Sequence, residues 1–178
     1  MAAMMTPIAW ARSLGTVTTS FSIGDVAAQR VTGEADWKWD AKRTLEFAAV
    51  GLCVMGPTSH LFESAIERTV PGTEIRAVVT KVLTRVTVAP CFLSLSFGSL
   101  AFLRGRDVSD AICSSVWPAW KTGTLFWPAV SLATYRFVPV HWRPAVGSCV
   151  GAVWSTYLSF VATEHEGAGR NTRDDAAS

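Results

Sequence analysis

Long stretches without any charged residue constrain this chain more than any other feature of its sequence. The twenty residues between Arg143 and Glu164 carry no charge, and neither do the eighteen residues between Arg85 and Arg104. An α-helix needs roughly twenty apolar residues to cross a bilayer core of about 30 Å. A soluble helix exposes one face and carries charges there at helical spacing, which both stretches lack. The pattern therefore predicts membrane-spanning helices rather than a soluble bundle.

The composition agrees with a single-domain membrane protein. Of the 178 residues, 49% are hydrophobic and 17% are charged, whereas about a quarter are charged in ordinary soluble domains. The net charge is +2 and basic residues do not cluster, so nucleic-acid binding is not expected. We expect one membrane bundle over residues 1–163 and a polar tail over residues 164–178, where Gly, Ala and charged residues predominate.

The order of apolar segments and turn residues predicts an all-α bundle. We expect four spans, or five if the helices that prolines break are counted separately, and one short surface helix. The first predicted helices run from Thr6 to Val31, from the cap Asp40 to Thr69 with an interruption at Gly56-Pro57, and from Glu74 to Leu103 with a bend at Pro90. A short surface helix is predicted over Asp107–Ser115. A fourth apolar segment starts where Trp117-Pro118 and Trp127-Pro128 bracket it and reaches Val138, and the last span runs from Arg143 to Thr163.

Residue types that bind metals or catalyse reactions do not form a recognisable pattern. The sequence contains no nucleophile–base pair, phosphate-binding loop, paired-carboxylate site or His-x-x-x-His motif, so we expect no enzymatic activity, metal or cofactor. Four cysteines lie far apart within apolar helices, where buried free thiols are expected rather than ligands or disulfides. These are Cys53, Cys91, Cys113 and Cys149.

Motif residues in a family-like order and spacing extend from about Leu14 to Phe160. They are Gly24-Asp25 with Gln29, Trp39-Asp40 with Arg43, Gly56-Pro57 with His60, Lys81, Ala89-Pro90, Trp127-Pro128, Val138-Pro139, Arg143, and Trp154 with Tyr157-Leu158-Ser159. On these residues the chain resembles the Mpv17 and peroxisomal membrane protein 22 family. The resemblance implies four spans in the mitochondrial inner membrane, or alternatively the peroxisomal membrane. It also implies a suggested role as a non-selective channel and no enzymatic activity.

The chain departs from the family pattern at four polar positions. Thr84 and Arg85 stand where the family commonly has an Asp-Gln pair, and Ser131 and Thr134 replace Gln and Asn. A conduction path through a membrane protein is lined by such polar groups. Their replacement favours a structural subunit, packed on a larger assembly such as a respiratory-chain or ATP synthase complex. The alternative is a free-standing pore of the same fold.

Polar residues within the predicted spans are the candidate functional positions. Asp25 and Gln29 share a helix face and could line a pore or bind a cation, but an interhelical bond to the region of Arg43 or Arg85 is favoured. His60 and Glu63 also share a face, where a capping or interfacial role is favoured over a proton relay.

Basic and small residues complete the set of candidates. Lys81 belongs to the family motif, and Arg143 is expected to reach lipid head groups, including those of a bound anionic lipid. Gly147 and Gly151 stand four apart and predict close helix packing, with Trp154 on the same helix. The expected partners are therefore the bilayer and other membrane subunits.

Overall fold

Six α-helices account for most of the described chain. The computed structural model describes residues 7–32, 38–72, 74–137 and 149–161, and within these ranges it contains no β-strand. The helices are α1 (Pro7–Thr32), α2 (Ala41–Val50), α3 (Gly56–Thr69), α4 (Ile75–Leu103), α5 (Val108–Phe137) and α6 (Cys149–Val161). A π-helical turn, Gly51–Met55, joins α2 to α3, so that Ala41–Thr69 forms one continuous rod. The predicted all-α class is confirmed.

Local chemistry explains where several helices begin and end. Asp40 caps α2 as predicted, because its Oδ1 accepts the backbone N–H of Arg43 at 3.0 Å. Asp107 does the same for α5 by accepting the N–H of Asp110 at 2.8 Å. Gly105 follows the end of α4 with φ +63°, a left-handed conformation that glycine adopts without steric cost.

The predicted short surface helix is wrong. Instead of ending at Ser115, the helix that starts after Asp107 continues to Phe137 and contains Pro118 and Pro128. A proline removes one backbone N–H and costs about 3 kcal/mol in a helix interior in water. Here α5 packs on α4, and that tertiary packing outweighs the local cost.

Pro90 is accommodated inside α4 by a specific contact. Because proline has no N–H, the carbonyl of Val86, four residues earlier, loses its helical donor. The indole Nε1 of Trp120 donates to that carbonyl at 3.0 Å. The replacement donor comes from α5 and joins the two helices at the proline.

Two clusters of buried side chains form the core. One contains Phe21 of α1, Phe47 and Val50 of α2, Met55 and Leu100. The other joins α4, α5 and α6 and consists of Leu93, Phe97, Ala119, Leu158 and Val161.

Gly24 brings α1 and α6 into very close approach. A Cβ at this position would overlap the side chain of Ser155 and lie 2.8 Å from its backbone carbonyl carbon. A side chain larger than hydrogen therefore cannot stand there unless the helices separate.

Two helices in the described part of the chain are long and apolar enough to cross a membrane. They are the rod Ala41–Thr69 and α4, and only 33% of the most apolar window of each is buried inside the protein. Leu45, Leu83 and Phe102 are among the large apolar side chains that remain exposed. Such surfaces suit contact with lipid or with other proteins.

The predicted burial of the cysteines is also wrong. All four thiols are free and exposed at the surface of the isolated chain. The prediction equated apolar helices with the protein interior, but the outer surface of a membrane bundle is equally apolar. Several predicted features lie outside the described residues: Arg143, Gly147, Val138-Pro139 and the tail over 164–178.

Candidate functional site

A buried carboxylate organises the most extensive polar cluster in the described residues. Asp25, near the end of α1, is 0% exposed and accepts four side-chain hydrogen bonds. Its Oδ1 accepts from Arg43 Nε at 2.8 Å and from Ser159 Oγ at 3.0 Å. Its Oδ2 accepts from Gln29 Nε2 at 2.6 Å and from Thr44 Oγ1 at 2.9 Å. The cluster thus joins α1, α2 and α6 through one carboxylate.

The neighbours of Asp25 are themselves bonded to the start of α2. Gln29 accepts the backbone N–H of Asp40 at 2.8 Å and donates to the carbonyl of Asp40 at 3.1 Å. The indole N–H of Trp39 donates to Thr44 Oγ1 at 2.9 Å. Arg43 Nη2 donates to Ser159 Oγ at 2.7 Å. The polar side chains that could line a path here are instead bonded to one another.

A buried charge without partners would be very costly at this depth, and the cluster avoids that cost. The Asp25–Arg43 ion pair is 0% exposed on the acidic side and 17% exposed on the basic side. Charge-assisted hydrogen bonds of this kind are about twice as strong as neutral ones. The arrangement binds helices together and leaves no lone pair of the carboxylate directed to a solute.

A second set of charges joins α3 to α4 near the turn between them. Lys81 Nζ donates to Glu67 at 2.5 Å and to the carbonyl of Gly72 at 3.0 Å. Arg85 pairs with Glu63 at 2.6 Å, and both side chains are well exposed. Arg85 is therefore paired, but with Glu63 and far from Asp25.

His60 stands apart from these ion pairs. Its ring is 7% exposed and lies 4.3 Å, between centroids, from the ring of Trp10 in α1. Its Nε2 and the hydroxyl of Ser64, one turn later, have no hydrogen-bond partner among the described residues. Glu63 turns to Arg85 instead of His60.

Of the sequence candidates, the structure brings Asp25, Gln29 and Arg43 into one cluster. Arg43 and Glu67 stand at opposite ends of the rod Ala41–Thr69, roughly 35 Å apart at 1.5 Å per residue. Because Lys81 pairs with Glu67 and Arg85 pairs with Glu63, both basic residues lie far from the Asp25 cluster. Of the two interhelical partners expected for Asp25, Arg43 or Arg85, the structure shows Arg43.

On α6, Gly151 and Trp154 both face neighbouring helices. A Cβ added at Gly151 would lie 3.6 Å from the hydroxyl oxygen of Ser20 in α1, which is an ordinary contact distance. Trp154 stacks on Phe126 of α5, with 5.2 Å between ring centroids. Both residues therefore lie at contacts between α6 and a neighbouring helix. Arg143 and Gly147 are outside the described residues.

Two members of the Asp25 cluster were not predicted as site residues. Thr44 is an ordinary residue in the first turn of α2, and only its place next to Arg43 could have indicated it. Ser159 belongs to the family motif, but its contact with Asp25 joins opposite ends of the sequence. Local spacing cannot reveal such a pair.

Comparison with known proteins identifies relatives of this chain. A sequence profile of the Mpv17 / PMP22 family matches residues 101–159. The mitochondrial inner membrane protein Mpv17 of Bos taurus is 32% identical over 158 residues, covering 86% of this chain and 90% of its own length. The human protein of that name is 30% identical over 158 residues, with the same coverage. Protein sym-1 of Neurospora crassa is 30% identical, covering 82% of this chain and 88% of its own.

No solved structure matches the chain. The relatives named for the mitochondrial inner membrane confirm the predicted localisation. At this identity and coverage, the chain belongs to the Mpv17 / PMP22 family of membrane proteins.

Proposed function

We propose that this protein is a non-catalytic structural subunit that packs on a larger assembly of the mitochondrial inner membrane. The observation that carries the proposal is the closed Asp25 cluster. The carboxylate best placed to line a conduction path is 0% exposed and is occupied by four donors. An ion would have to displace hydrogen bonds that hold three helices together.

The two altered polar positions on α4 support the same proposal. Thr84 donates back to the carbonyl of Thr80 in its own helix, and Arg85 pairs with Glu63 at the surface. Neither forms part of a polar lining between the described helices. The exposed apolar side chains of the rod and of α4 offer surfaces on which other subunits could pack.

We further propose that five helices cross the membrane, the higher of the two counts expected from the sequence. The rod Ala41–Thr69 and α4 supply two. A third would be α1, which runs along the rod from Trp10 beside His60 to Asp25 beside Arg43. The other two would be α5, whose polar residues and prolines lower its mean hydropathy, and the segment that contains α6. This topology would place the Asp25 cluster near one membrane surface and the Lys81–Glu67 pair near the other.

Mild detergent extraction followed by native electrophoresis tests the proposal. We expect the tagged protein to migrate with a complex much larger than 19.2 kDa. In planar bilayers, the purified protein should give no reproducible conductance. Discrete openings whose ion selectivity changes in the Asp25→Asn variant would instead show that the family-like channel role applies to this chain.

A further inference from the structure

The π-helical turn in the middle of the rod contains one residue more than an α-helix would need. The backbone N–H of Gly56 donates to the carbonyl of Gly51, five residues earlier, instead of to the carbonyl four residues earlier. Such a bond closes over one extra residue, so the chain advances by a residue without the usual rotation of about 100°. The two halves of the rod, α2 and α3, are therefore offset by about 100° from their arrangement in an uninterrupted helix.

Pro57 explains why the turn forms at this place. In a regular α-helix the ring of Pro57 would clash with the carbonyl of Cys53, four residues earlier, and its nitrogen has no hydrogen to donate. A wider turn directly before the proline relieves that clash. Because π-type turns are rare and frequently lie at functional positions, the contribution of this one to the fold needs a physical explanation.

Contacts with α1 show what the offset achieves. Thr44 in α2 donates to Asp25 Oδ2 at 2.9 Å, and His60 in α3 lies 4.3 Å, between ring centroids, from Trp10. Thr44 and His60 stand sixteen residues apart, which in an uninterrupted α-helix would separate them by about 160° around the axis. With one residue subtracted, the separation falls to about 60°. The offset thus brings both residues to the side of the rod that faces α1.

Two further pairs of residues give the same result. Gly51 and Gly56 both lie against α1, since an added Cβ would be 3.1 Å and 2.8 Å, respectively, from the nearest atom of that helix. Their spacing corresponds to about 140° in an α-helix and to about 40° with the offset. On the outer surface, Leu45 and Leu61 are both exposed and also stand sixteen residues apart. The offset again reduces their separation from about 160° to about 60°.

We propose that the π-helical turn is a conformational device that keeps both halves of the rod in contact with α1. It removes about 100° of rotation at the centre of the rod. The Asp25 cluster at one end and the contact between Trp10 and His60 at the other can then form along a single helix. Neither half of the rod can turn about its axis without breaking contacts with α1, so α1 and the rod form one unit. The device does not depend on whether the protein acts as a subunit or as a pore.

Single-residue deletions in the full-length protein test the proposal. Leu45, Leu52 and Leu61 are exposed leucines in α2, in the π-helical turn and in α3, respectively. Each is deleted in a Pro57→Ala background, because the proline would clash in a regular α-helix. Deleting Leu52 changes the π-type bond into an α-type bond, so the turn becomes α-helical and both halves of the rod keep their faces. The other two deletions are the matched controls.

The melting temperature in detergent distinguishes the three variants. The Leu52 deletion should melt within a few degrees of the Pro57→Ala parent. Deleting Leu45 should turn the start of the rod about 100° away from Asp25, and deleting Leu61 should turn its end away from Lys81 and Arg85 by the same angle. Because buried ion pairs are lost, both control deletions should lower the melting temperature by roughly 10 °C or more, or prevent folding. Equal losses in all three variants, or the largest loss for Leu52, would overturn the proposal.

Cross-linking between α1 and α3 measures the rotation directly. In a variant without native cysteines, Trp10→Cys and His60→Cys place two thiols where the helices touch. Oxidation with copper phenanthroline should join them to the same extent in the Pro57→Ala parent and in the Leu52 deletion. Insertion of one alanine after Leu52 is the control and should abolish the cross-link, because it turns His60 by about 100°. Loss of the cross-link in the deletion, or its survival in the insertion, would contradict the proposal.

Discussion

The Asp25 carboxylate accepts four hydrogen bonds and has no contact with solvent. Its buried negative charge is therefore stabilised only by these four donors. Two of the donors, Arg43 and Thr44, are consecutive residues in the first turn of α2. A third, Ser159, comes from α6. The carboxylate therefore fixes the relative positions of three helices, and its charge is balanced by one guanidinium.

Breaking this ion pair should destabilise the protein strongly. In Asp25→Asn, Arg43 would keep its charge but lose its counter-ion, a change that costs about 3–5 kcal/mol for buried pairs. The matched control is Glu63→Gln, which breaks the exposed pair with Arg85 and should cost about 0–1 kcal/mol. The free energy of unfolding, measured by denaturant titration in detergent, gives both values. Equal losses in the two variants would show that the Asp25 cluster does not anchor the bundle.

The indole N–H of Trp120 should stabilise the protein because it replaces the backbone donor that Pro90 lacks. Trp120→Phe removes the donor to the Val86 carbonyl and should cost about 1 kcal/mol. In a Pro90→Ala background, the N–H of residue 90 can supply the helical bond, so the same change should cost less. A double-mutant cycle on the free energy of unfolding measures the difference. Additive effects would mean that Trp120 contributes only packing at this position.

At the scale of helices, the crossing of α1 and α6 depends on Gly24. Gly24→Ala should destabilise the protein by about 1–3 kcal/mol, because the new methyl group would overlap Ser155. Gly15→Ala is the matched control in the same helix, since nothing lies within 4 Å of a Cβ there. Alanine has the higher helix propensity, so this control should be neutral or stabilising by up to about 1 kcal/mol. Thermal unfolding in detergent compares the two variants, and equal melting temperatures would rule out a tight crossing at Gly24.

The helices could be predicted from the sequence where local chemistry defines them. The cap Asp40 determines the start of α2, and the predicted end of α4 at Leu103 is the one observed, just before Gly105. The length of α5 could not be predicted, because Pro118 ends a helix in water and does not end one that packs along α4. The sequence left Arg43 and Arg85 open as partners of Asp25, and the structure shows Arg43. Ser159 was missed because its contact with Asp25 depends on the tertiary fold.

At the scale of the whole molecule, polar groups concentrate at the two ends of the rod. Arg43 and Glu46 lie in its first turns, and Glu63 and Glu67 lie in its last turns. Between them the surface is largely apolar, and Leu52 is 46% exposed although it lies near the middle. A soluble protein would gain nothing from this distribution, whereas a bilayer requires it.

Arginine substitutions at two positions along the helices distinguish a lipid environment from water. Leu52→Arg places a charge near the middle of the rod and should reduce membrane insertion by about 2.5–3.5 kcal/mol. The matched control is Ile75→Arg at the start of α4, which is 83% exposed and close enough to the membrane surface for arginine to reach water. A glycosylation-based insertion assay should therefore show a large loss for Leu52→Arg and little change for Ile75→Arg. In water both positions would tolerate arginine because both are exposed. Equal insertion of the two variants would thus mean that the exposed apolar surface of the rod does not face lipid.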